Sequence, residues 1–190
     1  MEQPFIRESR LLEDAFFTKR DTELIAAMRR KEKERDRKSE LARICGIADE
    51  DVLDQLVQHD IRPETLAAFS LVPVIEVAWS DGEIQPAERG VLMAALAEAG
   101  VPKDGLGYKL VERWLSRRPE PKLMRLWESY TKALIKHLPA DVGRRIQETV
   151  LNHARAVATA AGGFLGLGRI SNKEQEMLQS LEAAFEVKGE

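Results

Sequence analysis

Acidic side chains surround one turn between two predicted helices, in the segment EVAWSDGEIQPAE. Its carboxylates are those of Glu76, Asp81, Glu83 and Glu88. Calcium and magnesium bind several carboxylate and carbonyl oxygens that converge from a turn, and Asp81 followed by Gly82 suits such a turn. We therefore treat the four carboxylates as candidate ligands for a divalent cation, calcium or magnesium. The full calcium-loop pattern D-x-[DN]-x-[DN]-G is absent.

The same carboxylates also fit a purely structural role. If Gln85 caps the next helix and Pro86 is its first residue, Glu88 stands at the third position. A carboxylate there accepts a hydrogen bond from an unpaired backbone N–H and interacts favourably with the helix dipole. A third hypothesis is a hydrolase that uses Glu76 and Asp81 as paired carboxylates. It requires both groups to face one cleft and to have different pKa values.

No other catalytic pattern is found in the sequence. His59, His137 and His153 are far apart and do not form a metal-binding spacing such as HExxH. Cys45 is the only cysteine, which excludes an intrachain disulfide and a CxxC site. The glycine-rich stretch at 162–168 follows a predicted helix rather than a strand and lacks GK[ST], so it is not a nucleotide-binding loop. We expect a protein that is not an enzyme.

The pattern of apolar residues is helical along the whole chain and nowhere alternates as in a strand, which predicts an all-α fold. We divide it into a charged helical arm, residues 1–47, and a helical domain, residues 48–190. The arm includes RRKEKERDRK at 29–38, which is too polar to be buried. The segment ETLAAFSLVPVIEVAWS is apolar on nearly every side and predicts a central buried helix, with a kink at Pro73.

The chain contains an internal repeat, in which DGEIQPAERGVLMAALAEA aligns without gaps on LGRISNKEQEMLQSLEAAF. Each copy predicts a glycine turn, a buried isoleucine and a capped new helix. Glu88 aligns with Glu174, and Ser171 with Glu174 forms the capping box S-x-x-E. In the second copy, Leu167 and Arg169 replace the two acidic residues of the first turn. A cation site shared by both corners would therefore lose ligands at the second corner.

Two stretches of the chain resemble the TerB-like family, which is named for a tellurite-resistance protein. They are VPVIEVAWSDGEIQPAERGVLMAAL and GGFLGLGRISNKEQEMLQSL, and the resemblance covers about residues 60–187. It implies a compact helical bundle with two similar helix-turn-helix corners, here preceded by an N-terminal helical extension. It also implies a non-enzymatic role in bacterial stress responses, partners at the inner face of the membrane, and metal binding by acidic residues. By position, those residues are Asp81, Glu83 and Glu88, with Glu76 beside them.

Composition and charge limit the partners that we expect. The net charge of −3 provides no basic field for nucleic acid, and 44% hydrophobic with 32% charged residues is typical of a globular protein. We expect a cytoplasmic adaptor that binds protein partners, with the arm mediating self-association or docking. A module for protein–protein interaction without a metal is the alternative. Phe164 and Leu165 are candidates for contact with a membrane surface or a partner groove.

Overall fold

The helices of the protein were located in a computed structural model, which describes residues 4–161 and 170–185. Within these ranges no strand occurs, so the predicted all-α class is confirmed. None of the helices there has both the length and the apolar character needed to cross a membrane. The helices are α1 (Pro4–Cys45), α2 (Glu50–Gln58), α3 (Leu66–Phe69), α4 (Val72–Ala78), α5 (Pro86–Glu98), α6 (Leu106–Ser116), α7 (Pro121–His137), α8 (Ala140–Ala161) and α9 (Asn172–Phe185), with a 3-10 turn at Pro63–Thr65.

Helix α1 is a long arm whose C-terminal end joins the core. Side chains from residue 22 to 36 are exposed, as the run of alternating charges predicts. Further on, the Lys38 ammonium lies 2.5 Å from both the Glu50 and the Asp54 carboxylates of α2. Leu41 and Cys45 are buried, and the Tyr130 hydroxyl of α7 donates a hydrogen bond to Cys45 Sγ at 3.9 Å. The end of the arm thus belongs to the same hydrophobic core as α7.

Helix α2 ends in a turn in which a residue other than glycine has a positive φ. Ile61 N–H donates to the Leu56 carbonyl and Asp60 N–H donates to the Val57 carbonyl, which is the Schellman pattern. Asp60 takes the left-handed conformation, φ +56°, where glycine is usual. Its carboxylate accepts hydrogen bonds from Arg37 of α1 at 2.7 Å and from Arg62 at 3.0 Å. Asp60 therefore connects the arm, α2 and the segment that leads to α3.

The centre of the fold is α4, in which every residue from Val72 to Ala78 is buried. The apolar segment predicted as one kinked helix forms two helices instead, since α3 ends at Phe69 and α4 starts at Val72. Pro73 lies in the first turn of α4, where its missing N–H has no intrahelical acceptor. Helix α4 packs against α5, α7, α8 and α9, and these helices position the two corners described next.

Candidate functional site

The first corner is the turn between α4 and α5, and it holds the predicted acidic ligands. Gly82 has φ +105°, a conformation that favours glycine. The Asp81 carboxylate accepts a hydrogen bond from Glu83 N–H at 3.2 Å, which stabilises the turn. Both carboxylates are exposed to solvent, and Ile84 beside them packs against the core. The turn therefore presents two charged groups at the surface while its next residue is anchored inside.

Glu88 is buried at the start of α5, with 1% of its surface exposed. Its Oε2 accepts a hydrogen bond from the N–H of Gln85, the N-cap residue, at 2.7 Å. This is the third-position capping role that the sequence predicts, and it satisfies a backbone donor that the helix leaves free. One oxygen of this candidate ligand is thus engaged by the protein itself.

The second corner repeats this arrangement at the start of α9. Glu174 is 3% exposed, and its Oε2 accepts a hydrogen bond from Ser171 N–H at 2.6 Å. The Ser171 hydroxyl in turn accepts from Glu174 N–H at 3.2 Å, which completes the capping box. Ile170 packs against the core as Ile84 does at the first corner. The predicted equivalence of the two helix starts is confirmed in their capping, and both isoleucines are partly buried against the core rather than fully buried.

The two corners act on each other electrostatically. Burial raises the pKa of Glu88 from 4.5 to about 7, and the hydrogen bond from Gln85 N–H opposes this rise. The negative charges of Asp81, Glu174 and Glu83 raise the pKa of Glu88 further. We call this group of four carboxylates, Asp81, Glu83, Glu88 and Glu174, the acidic corner.

Glu76 has a different neighbourhood from the other predicted ligands. It is 5% exposed, and its Oε2 accepts two hydrogen bonds from the Arg118 guanidinium, from Nε at 3.2 Å and from Nη2 at 2.8 Å. Arg118 lies in the connection between α6 and α7, so the Glu76 carboxylate is directed there, whereas Asp81 stands in the α4–α5 turn. In the described structure, Glu76 Oε1 is buried without a hydrogen-bond partner. No sequence pattern connects Glu76 to Arg118, because 42 positions separate them.

The side chains as they stand do not form a coordination sphere. Across residues 4–161 and 170–185, no three His, Cys, Asp or Glu side chains are placed to hold a metal ion. Glu88 and Glu174 each use an oxygen to cap a helix, and Asp81 uses one to hold its turn. The predicted set of four direct ligands, with Glu76 among them, is therefore not assembled. What the acidic corner offers a cation is negative charge and the exposed oxygens of Asp81 and Glu83.

Four residues singled out in the sequence lie outside the described part of the chain: Phe164, Leu165, Leu167 and Arg169. The proposed membrane or partner contact of the glycine-rich stretch, and the replacement of acidic residues at the second turn, therefore stay predictions. Comparisons of the chain with protein-family models, with curated proteins and with solved structures found no match.

Proposed function

We propose that the protein is a non-enzymatic, TerB-like adaptor whose acidic corner binds a positively charged group. One observation carries the proposal: the pKa of Glu88 is raised to about 7 by burial and by the carboxylates of Asp81, Glu174 and Glu83. Negative charge that accumulates around a buried carboxyl group destabilises the ionised form. A cation at the corner would relieve this repulsion, so its binding would stabilise the folded state.

Two kinds of positive group suit this corner. One is a hydrated calcium or magnesium ion, held by the exposed Asp81 and Glu83 carboxylates. The other is a lysine or arginine side chain of a partner protein. The described residues do not assemble a complete ligand set for a metal ion. The metal ion and the basic side chain are both attracted by the negative charge of the corner, so they would compete for it.

Thermal unfolding at pH 8 tests the proposal directly. The protein is heated with calcium, magnesium or manganese, each against a chelator control, and with a short lysine-rich peptide. A ligand at 100 times its Kd raises the unfolding free energy by about 2.7 kcal/mol. Asp81→Asn together with Glu83→Gln should abolish the stabilisation, whereas Glu148→Gln, an exposed glutamate on α8, should not. If neither metals nor the peptide stabilise the protein, the carboxylates serve only as turn and capping groups.

A separate observation supports a docking role for the arm. Leu24, Ile25 and Met28 expose 59%, 49% and 63% of their surfaces on α1, although each is strongly apolar. Exposed apolar residues one turn apart on a helix are typical of a surface that another helix covers. We propose that this part of α1 mediates self-association, the partner role expected for the arm.

A further inference from the structure

A basic cleft lies on another side of the molecule, between the end of α2 and the pair α6 and α7. It has a volume of about 750 Å³, within the range of roughly 300–1,000 Å³ that holds small ligands. Two acidic residues line it, Asp60 and Glu120. Its basic lining residues are more numerous, namely Arg62, Lys109, Arg113, Arg117, Arg118 and Lys122. The cleft therefore carries an excess of positive charge in a protein whose net charge is −3.

Half of these cations are already neutralised inside the protein. Arg62 pairs with Asp60 at 3.0 Å, and Lys122 pairs with Glu120 at 2.7 Å. Arg118 pairs with Glu76 at 2.8 Å, and because both hydrogen bonds come from Nε and Nη2, its Nη1 is left for another acceptor. The acidic residues near the cleft thus account for three of its six basic side chains.

The other three, Lys109, Arg113 and Arg117, follow one face of α6 and its C-cap at a spacing of four residues. None of these three side chains donates a hydrogen bond or forms an ion pair within the described residues. The Lys122 ammonium, which is hydrogen-bonded to Glu120, is the main cause that lowers the pKa of Glu120, and the charge of Arg117 adds a smaller effect of the same sign. Like charges four residues apart destabilise a helix. The helix dipole favours cations near the C-terminus, but Lys109 lies in the first turn, where it disfavours them. The helix dipole therefore accounts for Arg113 and Arg117 at the end of α6, but not for Lys109 at its start.

Apolar side chains form the wall beside the row. Leu106 is 50% exposed at the start of α6, and Leu110 is half-buried one turn further on. Ile61 and Trp114 are buried behind them. A ligand that fits both surfaces carries several negative charges on one part and an apolar group on the other. An arginine guanidinium can donate two parallel hydrogen bonds to the oxygens of one phosphate. Three cations without an ion-pair partner match the charge of a phosphate chain better than they match the charge of a single carboxylate.

We propose that this cleft binds a small phosphorylated molecule, with its phosphates on Lys109, Arg113 and Arg117 and its apolar part against Leu106 and Leu110. A nucleoside polyphosphate and a lipid phosphate share this chemistry. The site is independent of the acidic corner and stands whether or not the corner binds a cation.

Isothermal titration calorimetry at low ionic strength tests the proposal with pyrophosphate, ATP and short-chain phosphatidic acid below its micelle concentration. We expect a Kd below about 1 mM for at least one of them. The double variant Arg113→Gln, Arg117→Gln should weaken binding about 100-fold, about tenfold for each lost charged contact. Tighter binding of ATP and pyrophosphate would identify a polyphosphate, and tighter binding of phosphatidic acid would identify a lipid phosphate.

The matched control is Arg125→Gln, Arg144→Gln, which removes two exposed arginines outside the cleft and leaves the same net charge. It should bind as the wild type does. Lys109→Gln, on the same row, is a second cleft variant and should weaken binding by about tenfold, with circular dichroism confirming that each variant is folded. Absence of binding by all three compounds, or equal losses in the cleft and control variants, would overturn the proposal.

Discussion

Glu174 lies close enough to Glu88 for its charge to raise the pKa of Glu88, although the two glutamates begin different helices, α9 and α5. Each caps its own helix, and each is almost completely buried. The internal repeat therefore brings two equivalent carboxylates into one electrostatic neighbourhood. We therefore expect the stability of the fold to depend on pH.

We expect Glu88→Gln to stabilise the protein above pH 7. Because the folded-state pKa is raised from 4.5 to about 7, the folded state binds a proton more tightly than the unfolded chain. The favourable contribution of protonated Glu88 is complete below pH 4.5 and is lost as the pH rises through about 7. The shift from 4.5 to about 7 corresponds to about 3 kcal/mol, which is the upper bound of the expected gain at pH 8.

Urea unfolding at pH 4.5, 6 and 8 measures this effect. The glutamine amide oxygen still accepts the hydrogen bond from Gln85 N–H, so the variant should match the wild type at pH 4.5. Glu174→Gln should lower the pKa of Glu88, as followed by carboxyl NMR titration, since it removes a neighbouring negative charge. A stability difference that stays constant from pH 4.5 to 8 would show that Glu88 does not titrate in this range.

We expect Arg118→Met to destabilise the protein more than Glu76→Gln does. Methionine leaves the buried Glu76 carboxylate without its partner, which costs about 2–3 kcal/mol. Glu76→Gln leaves Arg118 half-exposed and hydrated, so its cost should stay below about 1 kcal/mol. Urea unfolding of both variants and of the double variant gives the coupling energy. Equal losses in the two single variants would contradict this asymmetry.

Asp60 should be more sensitive to alanine than to glycine. The left-handed conformation at φ +56° disfavours alanine, whereas glycine adopts it freely. We expect Asp60→Ala to be about 1 kcal/mol less stable than Asp60→Gly in urea unfolding. Asp60→Asn isolates the contribution of the ion pairs. Asparagine adopts this conformation but lacks the charge that pairs with Arg37 and Arg62. Its deficit relative to wild type should disappear in 1 M salt.

Light scattering tests the arm. If Leu24 and Met28 form a contact between two chains, the wild type should show a mass above the 21.4 kDa of one chain. The double variant Leu24→Lys, Met28→Lys should return the mass to that of one chain, because charged side chains oppose burial of this surface. Glu34→Lys, exposed on the same helix, should keep the larger mass. A wild type that has the single-chain mass at all concentrations would refute self-association.

The helices, the position of the buried α4 and the capping of α5 and α9 could be predicted because each depends on local signals. Apolar periodicity, Pro63, Pro86 and the S-x-x-E spacing act within a few residues of the element that they specify. The sequence predicts a kink at Pro73 within one helix, whereas the helix is interrupted before Val72 and Pro73 lies in the first turn of α4. Whether this segment forms one kinked helix or two helices depends on how its neighbours pack around α4, and the spacing of residues in the sequence does not show this packing.

The candidate sites were harder to predict because they join distant parts of the chain. Asp81, Glu83 and Glu88 are close in sequence and were found together, but Glu174 joins them only through the fold. Glu76 was grouped with them because it lies nearby in sequence, yet its carboxylate pairs with Arg118. The basic cleft combines residues from α2 to α7, and the four-residue spacing in α6 is its only local signal.

The contact between Tyr130 and Cys45 provides a natural kinetic probe of the arm. Burial raises the pKa of the Cys45 thiol, so in the closed state the thiol is protonated and shielded from reagents. Because the chain has no other cysteine, a thiol reagent can label it only at this position. The labelling rate therefore reports how often the end of α1 separates from α7. It allows ligands of the acidic corner and of the basic cleft to be compared for their effect on that opening without any engineered label.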